Sequence, residues 1–284
     1  MIVKKVILKT NTMTKKAVRK ISQRNELTRA SYSLSLNGKR MLSILIMLFN
    51  KSKNTKRIVC IRAKDFAKIS NLGIDGVYSV MEKTANELLD LKIKIVLNNQ
   101  LYSIERLFSK CWFFKGSGKV EFRLAEDVIP LVSNLTERFT QYNLDYALSL
   151  NNVYSMRLFE LISQFKSVGQ IVILVSDFKF ILGIETKKTY SRFKYLNEQI
   201  IRKSVIEINK KIPELKLKTS FIREGRRVNS IRFDFVCFNM DDFFGKSKTA
   251  NQKNQKRLTT KSIRSVAKSK LIKSQLGSSE PNPH

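Results

Sequence analysis

The hydrophobic spacing of this chain writes one succession of elements twice, and that repetition limits its fold more than any other feature. In the first half, Met41, Leu42, Leu45, Leu48 and Phe49 recur at helical intervals after Asn37, which is placed as the N-cap. A short strand is expected over 57–61 and a short helix over 63–70, carrying Phe66, Ala67 and Ile69. A turn at 71–73 leads to a helix over 77–91 with Val80, Met81, Leu88 and Leu91 inward. The alternating run KIKIVL at 92–97, a turn at Asn98-Asn99 and a return over 101–107 make a hairpin. A second hairpin turns at Gly116-Ser117-Gly118, between Trp112–Phe114 and Val120–Leu124. Trp112, Phe113 and Phe114 are assigned to the core face of that sheet, with stacking on single-stranded bases as the alternative.

Pro130 is read as the end of a short helix, and 139–150 as an extended connection. The order then starts again. Asn151 or Asn152 caps an amphipathic helix over 153–166, with Met156, Phe159, Leu161, Ile162 and Phe165 as its apolar stripe and Gly169 closing it. A strand at 170–175, a cap at Ser176, a short helix at 178–182 ended by Gly183, and a long helix at 191–211 follow. Two strands, 216–221 and 228–238, flank the tip Arg223-Glu224-Gly225-Arg226-Arg227. The two copies are offset by about 130 residues. Helix, strand, helix, turn, helix and hairpin is a helix-turn-helix closed by a wing. The fold class is therefore α+β, two tandem winged-helix domains with basic, disordered N- and C-terminal tails. The divisions are a basic arm at 1–24, an N-terminal domain at 25–150, a C-terminal domain at 151–244 and a basic tail at 245–284. The C-terminal domain is expected to carry the main recognition, and the N-terminal one a weaker contact and a larger share in protein contacts.

Charge points to the partner. Lys and Arg number 54 against 23 Asp and Glu, a net of +31. Residues 1–29 hold +8 of it and 245–284 hold +9, on stretches poor in apolar periodicity. Such an excess repels itself and is relieved by a polyanion, whose bound counterions are released on contact. Residue types exclude much else. The one histidine is His284, so histidine-based acid–base chemistry and histidine metal pairs cannot be assembled. Cys60, Cys111 and Cys237 lack any CxxC spacing and read as buried thiols of a reducing cytosol. There is no phosphate-binding glycine loop, no apolar run long enough for a membrane span and no signal-peptide core. The expectation is a cytoplasmic binder with no catalytic site, metal or cofactor, and no membrane partner.

On a helical wheel of 191–212, Phe193, Leu196, Ile200, Ile201, Val205, Ile208 and Ile212 fall on one side. Arg192, Tyr195, Gln199, Arg202 and Lys210 fall on the other, with Lys194 and Lys203 at the borders. Arginine suits guanine O6 and N7, and glutamine suits adenine N6 and N7. Arg192, Gln199 and Arg202 are thus expected to read bases, and Lys194, Lys203 and Lys210 to hold phosphates. Arg223, Arg226 and Arg227 at the hairpin tip suit a groove or phosphate contact. In the first domain Lys64, Lys68, Tyr78 and Lys83 flank the shorter recognition helix, with Asp75, Glu82 and Glu87 nearby to weaken DNA contact.

Four stretches, in order, resemble the initiator replication proteins of iteron plasmids, the two-winged-helix Rep initiators. They are NELTRASYSLSLNGKRML (25–42), FTQYNLDYALSLNNVYSMRLFELISQF (139–165), YSRFKYLNEQIIRKSVIEIN (190–209) and GRRVNSIRFDF (225–235). The resemblance implies a protein without a catalytic site that binds direct repeats, the iterons, at a plasmid origin. It also implies help in opening the adjacent duplex, recruitment of the host initiator and helicase, a monomer–homodimer equilibrium, and repression of its own promoter. Asn197-Glu198-Gln199 stands where family members often carry a Lys/Arg cluster, so the base code must differ. The competing readings are a winged-helix repressor without an initiation role, a nicking enzyme using Tyr142, Tyr146 or Tyr154, and a structural RNA-binding protein.

Overall fold

The computed structural model describes residues 19–237 apart from 53–56, 71–72, 99, 115 and 134. The expectations for most of the basic arm, for the tail at 245–284, for His284 and for part of the 71–73 turn lie outside those residues. The arm expected over 1–24 ends early, because its last five residues form β1 (Lys20–Arg24), which pairs antiparallel with β7 (Phe139–Asn143). Ile21 supplies the reason: its side chain is fully buried, and alternation along Lys20–Arg24 matches a half-buried strand.

The N-terminal copy begins with α1 (Asn25–Arg29) and α2 (Leu36–Lys51). Ser35, not Asn37, caps α2: its hydroxyl accepts the Gly38 N–H at 3.0 Å and donates to Glu87 Oε2 at 2.6 Å. Glu87 is thereby spent inside the domain and does not face a partner. β2 (Ile58–Arg62), α3 (Ala63–Ser70) and α4 (Ile74–Asp90) complete the helix-turn-helix. The side chain of Asp75 is outside the described set.

Two hairpins follow, and they differ. β3 (Lys92–Val96) and β4 (Tyr102–Arg106) pair only with each other, apart from a bridge from Lys94 to Ser31. β5 (Phe108–Phe114) and β6 (Lys119–Leu124) join β2 in the order β2-β6-β5, so this second hairpin is the wing. Phe113 and Phe114 are 40% and 38% exposed, and Trp112 is half-buried, which corrects their assignment to a core face. The core face of the wing is filled by Val120, Phe122 and Leu124 of β6, with Phe108 against Phe122. β5 is an edge strand whose far end runs out beyond that core.

α5 (Ile129–Val132) carries Pro130 in its first turn, so the proline starts this helix and does not end it. The connection expected to be extended is half strand and half helix, β7 and then α6 (Leu144–Ser149), with Asn143 accepting the Asp145 N–H as a cap. α7 (Val153–Gln164) is capped by Asn152 and closed by Gly169, whose φ of 74° only glycine adopts freely.

The C-terminal copy is α7, β8 (Gln170–Leu174), α8 (Val175–Ile181), the long helix expected over 191–211, and the wing β9 (Leu215–Glu224) and β10 (Arg227–Cys237), in the order β8-β10-β9. Ser176 does not cap α8; Leu174 takes that place and the Ser176 hydroxyl turns to Asp177. β2 and β8 open at Ile58 and Gln170, so the copies are about 110 residues apart, shorter than the expected spacing. β3–β4 has no counterpart in the second copy. One continuous hydrophobic core runs through both copies, and α7 contributes Met156, Leu158, Phe159, Leu161 and Ile162 to it.

The three thiols are half-buried, not buried as expected, and none is in a disulfide. Burial pushes the Cys60 and Cys111 thiols above their ordinary value, aided at Cys60 by Glu121. No described helix is long and apolar enough to cross a membrane.

Candidate nucleic-acid interface

The long helix expected over 191–211 is a single rod in three parts: α9 (Phe193–Leu196), a π-helical turn (Asn197–Ile201) and α10 (Arg202–Lys211). In the π turn the Arg202 N–H bonds to the Asn197 carbonyl, five residues back. Leu196, Ile200, Ser204, Ile208 and Ile212 are all buried, each with 0–1% of its surface exposed. On a regular helix, steps of four residues drift by about 40° each, and the first and last of these five would stand about 160° apart. One extra residue taken up by a π turn brings them back to about 60°. The turn is what allows one continuous buried line, apolar except at Ser204, to face the domain.

The same re-phasing changes the outer face. A regular helix places Arg202 about 20° from Tyr195; with the π turn the angle is about 120°. Arg202 moves to the flank that carries Lys194 and Asn197, and Lys203 takes its place beside Tyr195. This correction to the simple wheel was not legible from spacing, because a π turn has no residue signature in a stretch such as Asn-Glu-Gln-Ile-Ile.

Arg192, Lys194, Gln199, Arg202, Lys203 and Lys210 are exposed, and Tyr195 is 41% exposed. Lys203 Nζ donates to Gln199 Oε1 at 2.6 Å, so the Gln199 amide keeps its N–H donors free while its oxygen is engaged. Arg223, Arg226 and Arg227 are exposed at the β9–β10 tip, where Gly225 has a φ of 60°. Helix and wing enclose a groove of about 720 Å³ lined by Lys179, Ser191, Lys194, Asn197 and these three arginines. Five cations thus converge on one cleft between a helix N-terminus and a wing. Asn197 belongs to the Asn197-Glu198-Gln199 stretch expected to alter the base code, whereas Lys179 is a residue that the spacing does not point to; its signal is its place on α8, the helix before the long one. Phe193 and Phe221, edge-on with centroids 5.0 Å apart, pin the start of the helix to the wing strand.

In the first copy Lys64 and Lys68 on α3 and Lys83 on α4 are exposed, as is Tyr78 at 52%. They do not share the cleft described above. The Tyr78 hydroxyl lies against Gly118 at the tip of the β5–β6 wing, where φ is 58°. Tyr142, a candidate nucleophile of the nicking alternative, is fully buried and donates to Glu160 at 2.6 Å.

Behind the interface lies a buried charge cluster that the periodicity did not reveal. Glu160 Oε1 meets Lys39 Nζ at 2.5 Å, Glu160 Oε2 accepts from Arg157 at 2.9 Å, and all three side chains are at most 2% exposed. Arg157 also donates to the Tyr32 hydroxyl and to the carbonyls of Ala30 and Ile181, at 2.6, 2.8 and 2.9 Å. Burial raises the Glu160 carboxyl, and the opposing charges of Lys39 and Arg157, with hydrogen bonds from Lys39 and Tyr142, leave it below its ordinary value. The Tyr142 hydroxyl is held well above its ordinary value by burial and by the Glu160 charge. One side chain, Arg157, so ties the N-terminal copy to the helix α8 of the C-terminal copy.

Comparison with known proteins accords with this architecture. The family model described as "Initiator Replication protein, WH1" matches residues 20–163, and "Initiator Rep protein, WH2" matches residues 174–235. An Escherichia coli "Replication initiation protein" is 27% identical over 195 residues, 65% of this chain and 60% of its own length. This chain therefore spans less than two thirds of that relative. An "Uncharacterized 27.6 kDa protein" of Escherichia coli is 26% identical over 234 residues, 75% of this chain and 93% of its own. Among solved structures the chain is similar to the Pi initiator protein in complex with iteron DNA. That match has 22% identity and a TM-score of 0.63, over 77% of this chain and 97% of that one. At that identity the likeness establishes the fold. With the WH1 and WH2 models following each other in order along most of its length, this chain belongs to the initiator replication protein family.

Proposed function

We propose that this chain initiates plasmid replication by reading repeated duplex sites at an origin with the rod α9–π–α10 and the β9–β10 wing. The observation that carries this is the convergence of Lys179, Lys194, Arg223, Arg226 and Arg227 on one groove, beside a helix anchored on its other side by buried Leu196, Ile200, Ile208 and Ile212. A major groove about 12 Å wide admits such a helix, and a wing beside it meets the phosphates. Arg192, Gln199 and Arg202 read base edges; Lys194, Lys203, Lys210 and the wing arginines position the backbone. Tyr195 packs beside them, and Lys64, Lys68 and Lys83 give the first copy a weaker duplex contact. The sites are direct repeats, the iterons, and binding assists opening of the adjacent duplex and recruitment of the host initiator and helicase. The protein works in the cytoplasm without a catalytic centre. The first domain, taking in β1, runs to about residue 150, and the second, from 151, carries recognition.

The first copy also serves self-association. β3–β4 exposes Val96, Leu97, Leu101, Tyr102 and Ile104, each above half of its surface, on a two-stranded sheet whose β4 edge pairs with no further strand. A second copy covering this patch gives the homodimer that balances the monomer and represses the protein's own promoter.

Arg202→Ala is expected to cost about 1–3 kcal/mol on the cognate repeat and to relax base preference at one position, whereas Lys210→Ala weakens all duplexes alike. Equal losses from Arg202→Ala on cognate and random duplex, measured by fluorescence anisotropy, contradict the base-reading role.

A further inference from the structure

The outer face of the first wing has a composition that duplex reading does not use. Along β6, Val120, Phe122 and Leu124 are buried toward the helices, so Lys119, Glu121 and Arg123 point the other way. Strand pairing sets Lys110 opposite Arg123, Trp112 opposite Glu121 and Phe114 opposite Lys119, and β2 adds Arg62 beside Lys119. Lys110 and Arg123, which face each other across the strands, each lie near the Trp112 ring, at 5.3 Å and 5.2 Å from its centroid. Lys119 lies 4.0 Å from the centroid of Phe114. Glu121 is matched by Lys119 and Asp65 by Arg62, whereas among the described residues Lys110 and Arg123 have ring contacts and no ion pair.

We infer that this sheet face, carrying Trp112 and Phe114 beside Lys110, Arg123 and Lys119, is a binding site for single-stranded DNA, separate from the duplex-reading helices. Two rings on one face of a strand, two residues apart, stand about 6.7 Å from each other. That is about twice the 3.4 Å rise per nucleotide of a stacked strand, so two bases of an extended strand can each lie on a ring. A duplex cannot use such a platform, because its base faces are already stacked on one another. The cations select a polyanion over an apolar protein surface, and the ring faces select exposed bases over a phosphate backbone alone. β5 is the edge of its sheet, so a strand of DNA can lie along it without displacing another element. The inference goes beyond the proposed reading of duplex repeats and does not depend on it. An initiator that opens a duplex produces the ligand this face accepts.

Trp112 is the single tryptophan of the chain, so its fluorescence reports on the site in the unaltered full-length protein. Titration with oligo(dT) of 20 nucleotides at low salt should quench it to saturation, and a random duplex of the same length should leave it unchanged. Trp112→Ala and Phe114→Ala should each weaken oligo(dT) binding about 5- to 100-fold. Both should bind a repeat-bearing duplex within about twofold of the unaltered protein, which also shows that the variants fold. The basic tails attract any nucleic acid, so the variants decide and bulk affinity does not. Absent quenching, equal quenching by duplex, unchanged oligo(dT) affinity in both variants, or oligo(U) bound about tenfold more tightly than oligo(dT) would each overturn the inference. If the face fails while duplex selectivity stands, only the single-strand site is lost.

Discussion

Glu160 shows how much one buried carboxylate can hold. It is ringed by Lys39, Arg157 and Tyr142 from three elements, α2, α7 and β7, with no solvent to take over if it is removed. Glu160→Gln keeps the shape but leaves two cations buried against a neutral amide, and is expected to cost about 3–5 kcal/mol in urea unfolding. The pH dependence has a defined sign. The folded value of Glu160 lies below its ordinary 4.5, so its contribution is complete above that pH and is lost as pH falls through the lower folded value. Tyr142 works at the other end: its folded value lies well above 10.0, so its contribution is complete below that pH and fades as pH rises past it. Unfolding of the protein and of Glu160→Gln across pH 3–7 should show the difference between them shrinking at the acid end. A difference that grows there contradicts the assignment. None of this was readable from spacing. Arg157 and Glu160 fall off the apolar stripe of α7 and look like a solvated face, but α7 is enclosed on all sides and has no such face.

At the scale of elements, the outcome depended on which physical signal each one carried. α3 matches its expected span of 63–70 because its ends coincide with a strand and a turn. Caps were less certain, since Ser35 and Asn37 both carry capping side chains and only the tertiary contact with Glu87 selects the serine. The recognition helix was found, but its phase beyond Asn197 was not, because a wheel assumes a constant twist. The β9–β10 wing was legible from its charges, and its role has a quantitative consequence. If each of Arg223, Arg226 and Arg227 neutralises one phosphate, replacing all three with alanine should reduce the slope of log K against log salt by about 2.7. A titration of duplex binding at several salt concentrations measures this. A slope unchanged by the triple substitution places the wing off the DNA.

At the scale of the whole molecule, the two copies behave as one body. Gly183, with φ of 64°, brings the end of α8 so close to the backbone of Tyr32 that an added Cβ would clash with its carbonyl group. Ser31 donates to Glu185 at 3.2 Å, a further tie between the copies. Gly183→Ala therefore combines a strained backbone with a backbone clash and is expected to cost at least about 1–3 kcal/mol. Calorimetry should show one lowered transition, and two separated transitions in the unaltered protein contradict a shared core. The tandem order was legible because hydrophobic periodicity repeats; the joint between copies was not, because it is made by glycine, buried charge and backbone carbonyls. The central claim is that α9–π–α10 and its wing read repeated duplex DNA. Selection of binding sites from a random duplex pool at two salt concentrations tests it most directly. The account predicts one enriched motif, found as tandem direct repeats at an origin, with a preference over random duplex that persists at the higher salt; a pool that enriches no motif, or a preference that vanishes with salt, contradicts it.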